Sequence, residues 1–362
     1  MDTLIGKSTK ELETLVAERG APAYRGRQIA QGLYKRSVRD LAAMPELPRG
    51  LRESLAESFS TVACMVRATS AADDGTVKYL LNLHDDEVIE AVFLPYASRT
   101  TVCISSQVGC PLSCSFCATG TEGLARNLTA GEIVDQVVLL QSLHPAERIT
   151  NVVFMGMGEP LLNYPAVLKA VQILNEEVGI AMRQITVSTV GVVPNIYKLA
   201  EEDLQLTLAV SLHAPNDLLR SELAPLNDKY PINILMQACR AYTDKTRRRI
   251  TFEYVLLSGV NDTEKEAHEL GVLLRHQPLC SVNTIPYNST DVAAPYRRPS
   301  PEATRRFRDI VSSYGVTITQ RQERGHRIAA ACGQLKRSTL KPGSAMRPLP
   351  MAADVLKTAQ PV

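Results

Sequence analysis

The sequence predicts an α/β fold: an incomplete barrel of about six β-α units, a (β/α)6 arrangement, behind a small N-terminal helical domain and a short β extension. Three observations predict it. From Arg99 onward, short apolar runs alternate with segments of helical periodicity, which implies right-handed β-α-β units on a parallel sheet. Between Thr61 and Ser106 the hydrophobic period is two, the pattern of half-buried strands. Before Thr61 the apolar residues fall at helical spacing behind capping residues. The expected organisation is therefore a helical domain at 1–60, a β extension at 61–98, a partial barrel at 99–337 and a mobile tail at 338–362. A doubly wound open sheet uses the same alternation and is the competing architecture.

In the helical domain Ser8-Thr9-Lys10-Glu11 reads as a capping box, Leu12, Leu15 and Val16 follow at helical spacing, and Gly20 supplies a stop. Further helices are expected at Tyr24–Lys35 and, behind Pro45 and Pro48, at Arg49–Phe59. Arg25 and Arg27 flank Gly26 at a helix entrance, where they would meet a phosphate backbone or merely solvent. In the β extension Asp73-Asp74-Gly75-Thr76 turns Val62–Thr69 into Val77–Leu83, and His84-Asp85-Asp86-Glu87 leads into Val88–Leu94. Along this third strand Val88, Glu90, Val92 and Leu94 share a face, so Glu90 is a carboxylate among aliphatic neighbours. Burial without a partner would raise its pKa and suit it to carrying a proton; on an edge strand it would face water.

Barrel strands are expected at Thr100–Ser106, Ile149–Met155, Gln184–Thr189, Leu206–Leu212, Ile250–Leu257, Ser281–Pro286 and Val316–Gln320, several of them the near-continuous apolar runs of a covered parallel sheet. Thr129-Ala130-Gly131-Glu132 caps the first helix between them. Others follow at Pro165–Val178, Asn195–Glu202, within Asp217–Thr246, at Thr263–Leu274 and at Glu302–Tyr314. After Leu340, Lys341-Pro342-Gly343-Ser344 and later prolines carry little periodicity, hence the expected tail.

The hydrophobic fraction of 45% is that of a globular chain, and no apolar run approaches a membrane span. Met1-Asp2-Thr3 lacks the opening of a signal peptide, so a cytoplasmic protein without membrane contact is expected. A net charge of +2 does not by itself announce a nucleic-acid binder, although arginines gather at Arg247-Arg248-Arg249, Arg297-Arg298 and Arg305-Arg306. Eight cysteines in 362 residues are too sparse for a disulfide scaffold. Three of them crowd into Cys110-Pro111-Leu112-Ser113-Cys114-Ser115-Phe116-Cys117, which points to metal or catalytic use. A structural zinc site would need a fourth ligand, and the nearest downstream histidine, His144, has no partner at zinc-finger spacing. A disulfide would leave one thiol over. The remaining reading is an iron–sulfur cluster with one iron open to a ligand, at the C-terminal end of the first barrel strand, where such barrels keep their active sites.

The C-x3-C-x2-C spacing in this position resembles the signature of radical S-adenosylmethionine (SAM) enzymes, which implies a radical SAM barrel. Further segments narrow the resemblance: Thr101–Cys110, Arg126-Asn127-Leu128-Thr129-Ala130-Gly131-Glu132, Phe154-Met155-Gly156-Met157-Gly158-Glu159-Pro160-Leu161-Leu162-Asn163 and Ala330-Ala331-Cys332-Gly333-Gln334-Leu335 are together similar to the RlmN/Cfr family of RNA adenine methyltransferases. The N-terminal helices resemble that family's accessory RNA-binding domain. Adenine C2 is too electron-poor to attack the methyl group of SAM, so a radical route is needed.

The resemblance implies a [4Fe–4S] cluster on Cys110, Cys114 and Cys117, with SAM on its open iron. It implies that Cys332 receives a methyl group from one SAM, that a radical from a second SAM activates it toward the adenine, and that Cys103 frees the product by forming a disulfide with Cys332. Glu90 matches a carboxylate implicated in proton transfer. SAM contacts carry over to Gly158, Glu159, Ser188, Ser211, Leu212, His213 and Asn288, while Cys64, Cys239 and Cys280 read as buried small side chains. The implied partners are 23S rRNA, tRNA and a low-potential electron donor such as flavodoxin or ferredoxin, acting on a monomer. Glu159-Pro160-Leu161-Leu162-Asn163 looks like the C2-methylating, RlmN-type branch; C8 methylation is the alternative. Gly325-His326-Arg327-Ile328 departs from the family, which usually has an acidic residue before the isoleucine. A different class, an RNA-binding protein with a structural metal, would share the cysteines without the chemistry.

Overall fold

The computed structural model describes residues 2–288, 295–322, 324, 325, 328, 330 and 333–335. The expected tail, Cys332 and the His326-Arg327 departure lie outside them. The N-terminal helices are α1 (Thr9–Ala17), α2 (Tyr24–Ala30) and α3 (Arg49–Ser58), and the two-residue strands β1 (Asp2–Thr3) and β2 (Phe59–Ser60) pair in parallel. The capping box forms as the sequence indicates, with Ser8 and Glu11 each bonded to the other's backbone N–H. Gly26 lets α2 cross α1 with backbones almost touching: a Cβ there would lie 2.3 Å from the Glu13 nitrogen. The flanking arginines are engaged locally, Arg25 with Gln28 and the Glu46 carbonyl, Arg27 with Glu13.

The β extension comprises β3 (Met65–Ala71), β4 (Val77–Asn82) and β5 (Val88–Tyr96), and the barrel begins with β6 (Arg99–Cys103). There follow β7 (Gln107–Gly109), β8 (Leu124–Asn127), α4 (Ala130–Leu143), β9 (Asn151–Phe154), α5 (Tyr164–Ile173), β10 (Ile185–Thr189), α6 (Val193–Glu201), β11 (Thr207–Ser211), α7 (Asp217–Leu223), α8 (Ile232–Thr246), β12 (Ile250–Leu256), α9 (Glu264–Leu274), β13 (Cys280–Pro286), α10 (Pro301–Ser313) and β14 (Ile318–Gln320). One sheet takes the order β14-β13-β12-β11-β10-β9-β6-β5-β4-β3. It is parallel from β6 to β14 and antiparallel from β6 to β3. Because β6 pairs with β5 rather than with β14, the barrel stays open, and among the described residues the strands do not take the competing doubly wound order.

Accessory domain and barrel are joined by buried polar contacts. Asp135 on α4 accepts the backbone N–H groups of Ala63 and Cys64, both at 2.7 Å, and pairs with Arg39 through both guanidinium nitrogens. Thr9 donates to Glu177 through its amide and its hydroxyl. Gly6 and Gly131 mark a close crossing of the N-terminal segment over the first turn of α4, where a Cβ on Gly131 would come within 2.6 Å of the Ile5 oxygen. His144, considered above as a zinc ligand, instead stacks on Phe93 at 3.7 Å between centroids, with Nε2 2.6 Å from the Tyr79 hydroxyl. It pins the β extension to the end of α4. Among the described residues no helix is long and apolar enough to cross a membrane.

Candidate active site

The chain leaving β6 is strapped before it reaches the cysteines. Ser105 exchanges two hydrogen bonds with the buried Gln136 amide, and its hydroxyl donates to the Glu90 carbonyl and accepts from Met157 N–H. The short strands β7 and β8 then pair antiparallel, with Gly109 at φ +81° turning the chain out into the cysteine loop. The loop is thus bracketed by a small hairpin that the sequence did not announce. Within it Cys110 N–H donates to Gly123 O, Cys117 N–H to Cys114 O and Gly120 N–H to Cys117 O. The C-terminal segment lies against the same loop, since Ala118 N–H donates to Gly333 O at 2.8 Å and Thr119 Oγ1 to Leu335 O at 2.5 Å.

Cys110, Cys114 and Cys117 line one wall of an open cavity. Its other walls are the C-terminal ends of the barrel strands: Gly158 and Glu159 after β9, Ser188 in β10, Ser211 and His213 at β11, Asn288 after β13. All the expected cofactor contacts thereby face one space except Leu212, whose side chain is buried in the core and whose N–H is taken by Glu253 O. A smaller adjoining chamber shares Met155, Ile285, Asn288, Arg321 and Leu335 with the first, and Cys103 and Tyr96 line it. Both Arg99 and Arg324 place their guanidinium carbons 4.5 Å from the Tyr96 ring centroid. Glu90 is fully buried on an inner strand, settling the edge-strand question against solvent, and its Oε1 lies 3.0 Å from Lys78 Nζ.

Close packing explains both glycines of Gly156-Met157-Gly158. A Cβ on Gly156 would sit 2.6 Å from Ile104 O, and one on Gly158, at φ +102°, 2.6 Å from the Gln107 side chain. Glu159 donates its N–H to Gln107, and its carboxylate accepts from Leu161 N–H at 3.1 Å and Val190 N–H at 2.8 Å. Burial outweighs these bonds and lifts the carboxyl to about 7. Burial also pushes the Cys110 thiol up to about 12 and Cys114 higher still, with the neighbouring cysteines adding in the same direction. His213, held at φ +60°, is driven down to about 3 by burial and by Arg220. Val255 N–H donates to its Nδ1, so the neutral ring carries its proton on Nε2.

Arg220 is the functional-region residue the sequence reading missed. Fully buried, it donates to the carbonyls of Val190, Ser211 and Leu212 and to Asn227, clamping the ends of β10 and β11 that carry the cavity wall. No spacing marks an isolated arginine in a short helix for such a task. Cys64 and Cys239 are buried as expected, whereas Cys280, at the start of β13, is only half-buried.

The three thiols share one cavity wall and suit the thiolate ligation of an iron–sulfur cluster. Among the described residues no three His, Cys, Asp or Glu side chains are grouped as they would be around one metal ion. Three thiols spread along a cavity wall suit a cluster that brings its own bridging sulfides, and the space beside them leaves room for a ligand.

Comparison with known proteins agrees with this geometry. Residues 104–271 match the Radical SAM superfamily model, and residues 3–61 match the ribosomal RNA large subunit methyltransferase N-terminal domain. A relative from Thermosynechococcus vestitus, named a probable dual-specificity RNA methyltransferase RlmN, is 49% identical over 93% of this chain and 99% of its own. A relative of the same name from Gloeobacter violaceus is 48% identical over 93% and 96%. The chain belongs to the RlmN family of radical SAM RNA methyltransferases. A crystal structure of a radical SAM methyltransferase from Sphaerobacter thermophilus superposes with a TM-score of 0.90 at 49% identity, covering 93% of this chain and all of that one. Membership in the RlmN family sets aside the reading of a binding protein with a purely structural metal, and RNA is the class of substrate. The family implies a [4Fe–4S] cluster and SAM, and the thiol wall and polar strand ends are where an RlmN-type chain would hold them.

Proposed function

We propose that this chain methylates C2 of an adenosine in 23S rRNA, with tRNA as a second substrate, through a methylated Cys332. The observation that carries the proposal is the meeting of three elements at one pair of connected chambers: the thiol loop, the C-terminal segment at Gly333–Leu335, and Cys103. The relatives' name, dual-specificity RNA methyltransferase, supports two RNA substrates. The Glu159-Pro160-Leu161-Leu162-Asn163 run favours C2 over C8. When bound, the cluster supplies one electron and SAM supplies both the methyl group and the radical precursor.

The chain's own residues hold and direct these groups. Cys110, Cys114 and Cys117 hold the cluster; Gly158, Glu159, Ser188, Ser211, His213 and Asn288 hold SAM, with Leu212 contributing through its backbone. Cys332 accepts the methyl group, and the carbon it then carries forms the bond to the base. The Cys103 thiolate attacks the Cys332 sulfur and forms the disulfide; the sulfur–carbon bond breaks, its electron pair leaves with the methylene carbon in conjugation with the ring, and that carbon takes a proton to become the methyl group of the freed product. Glu90 takes a proton. A low-potential flavodoxin or ferredoxin serves as electron donor to a cytoplasmic monomer.

Replacement of Cys103 by alanine traps a covalent protein–RNA adduct visible by denaturing electrophoresis, while Cys332→Ala gives none. If the Cys103 variant yields no adduct while wild type methylates RNA, the assigned roles are wrong. A pH dependence follows from Glu159. Its carboxyl is protonated below about 7, so binding the SAM ammonium there must first expel a proton. Affinity for SAM is expected to fall about tenfold per pH unit below neutrality and to level off above it. Glu159→Gln should bind about 10- to 100-fold more weakly above neutrality and lose the slope, as equilibrium binding across neutral pH would show.

A further inference from the structure

Lys78 is a partly buried cation that the reaction as described above leaves unused. It sits on β4 opposite Val92 of β5, and Val92 in turn stands opposite Cys103 of β6. Facing residues in a ladder share a face, and Glu90 is two residues from Val92, so Lys78, Glu90 and Cys103 lie on one face of the sheet. Lys78 is not the ladder partner of Glu90, which is Leu80; it reaches diagonally to bring Nζ within 3.0 Å of Oε1. The Glu90 side chain is 1% exposed and that of Lys78 14%. The Ser105 hydroxyl fixes the same stretch of β5 by donating to the Glu90 carbonyl while accepting from Met157, within the Gly156-Met157-Gly158 turn.

Stability does not explain such a pair. Withdrawing both charges from water costs about as much as their attraction returns, and an apolar pair of similar size would serve a strand flanked by Ile89, Ala91 and Val92 equally well. A carboxylate buried alone would, however, be neutral and unable to accept a proton. We propose that Lys78 is a positioning residue that keeps Glu90 ionised and aimed, so that the carboxylate receives the proton lost from the target carbon. In that step the adduct radical gives up its odd electron to a one-electron acceptor, for which the oxidised iron–sulfur cluster would serve; the carbon–hydrogen bond breaks with its electron pair staying in the ring, which becomes aromatic again, and the proton moves to a Glu90 carboxylate oxygen. The inference rests on the methyl-transfer reading above and adds the group that makes its base competent.

The test uses the full-length chain with its cluster reconstituted anaerobically, SAM, a reductant and a transcribed 23S rRNA fragment. For Lys78→Met, methylation of Cys332, read by peptide mass spectrometry, is expected within about twofold of wild type. Release of methylated RNA should fall about 100-fold, the usual worth of a general base, and the covalent adduct should accumulate. Lys78→Arg, which keeps the charge, is expected to restore release to within about tenfold. The double variant Lys78→Met/Glu90→Gln removes both charges of the pair; with native circular dichroism as the check on its fold, it should release product no more slowly than Glu90→Gln alone. Normal release by Lys78→Met, or a further loss on adding it to Glu90→Gln, would overturn the proposal. A failure of Lys78→Arg to rescue would do the same. Wild-type enzyme that cleaves SAM but never methylates RNA would instead overturn the underlying reading, and this inference with it.

Discussion

Cys114→Ala yields a protein that cannot be loaded: after anaerobic incubation with iron and sulfide it lacks the broad visible absorption of a cluster, and cleavage of SAM falls to background. The thiol is buried in the cavity wall, packed among Leu223 and Ala224 of the α7 region, and its burial-raised pKa means that the protein alone keeps it protonated. Binding iron must therefore displace its proton, so loading of the wild type accelerates as pH rises. Removing one of three ligands leaves two that cannot hold a cubane against competing thiols and chelators. The fold should persist, because the loop is held by backbone bonds that alanine retains, Cys117 N–H to residue 114 O among them. Near-native circular dichroism with no colour is the expected pair of readings. A coloured, SAM-cleaving variant would remove Cys114 from the site.

Asp135→Ala is the largest expected loss of stability, on the order of 3–5 kcal/mol, because it leaves two buried backbone N–H groups without their acceptor and takes the carboxylate from Arg39, which keeps the Cys64 carbonyl. Asp135→Asn, which keeps an acceptor but loses the charge, should cost roughly half as much. Denaturant unfolding measures both. Limited proteolysis should show first cuts moving to the 36–48 connection, whose Arg39 the aspartate holds. An alanine variant as stable as wild type would mean that the accessory domain is kept in place by apolar packing alone.

Much of the fold was legible because its signals are local. Both capping boxes, at Ser8 and at Thr129, and the strand runs from Ile149 to Pro286 announce themselves through residue type and period. The β7–β8 hairpin was not legible, since strands of three and four residues carry no period to read. Glu90 was ambiguous for another reason. Its alternation fixed a face, but only the sheet order, with β4 on one side and β6 on the other, decides that this face is covered. Glu159, Ser188, Ser211 and His213 were picked out through a resemblance and through their places at strand ends, and they line one cavity, whereas Arg220 and Lys78 make their contacts by reaching diagonally or backwards across elements. Such contacts leave no spacing in the sequence.

The central claim is a methyl group placed on C2 of an RNA adenine. Mass spectrometry of nucleosides from digested 23S rRNA and tRNA, taken from cells with and without this protein and compared with authentic 2-methyladenosine and 8-methyladenosine, tests it directly. The account predicts 2-methyladenosine in 23S rRNA, present only with the protein and lost in the Cys332→Ala variant. Product at C8 alone, or 2-methyladenosine that persists without the protein, would contradict it.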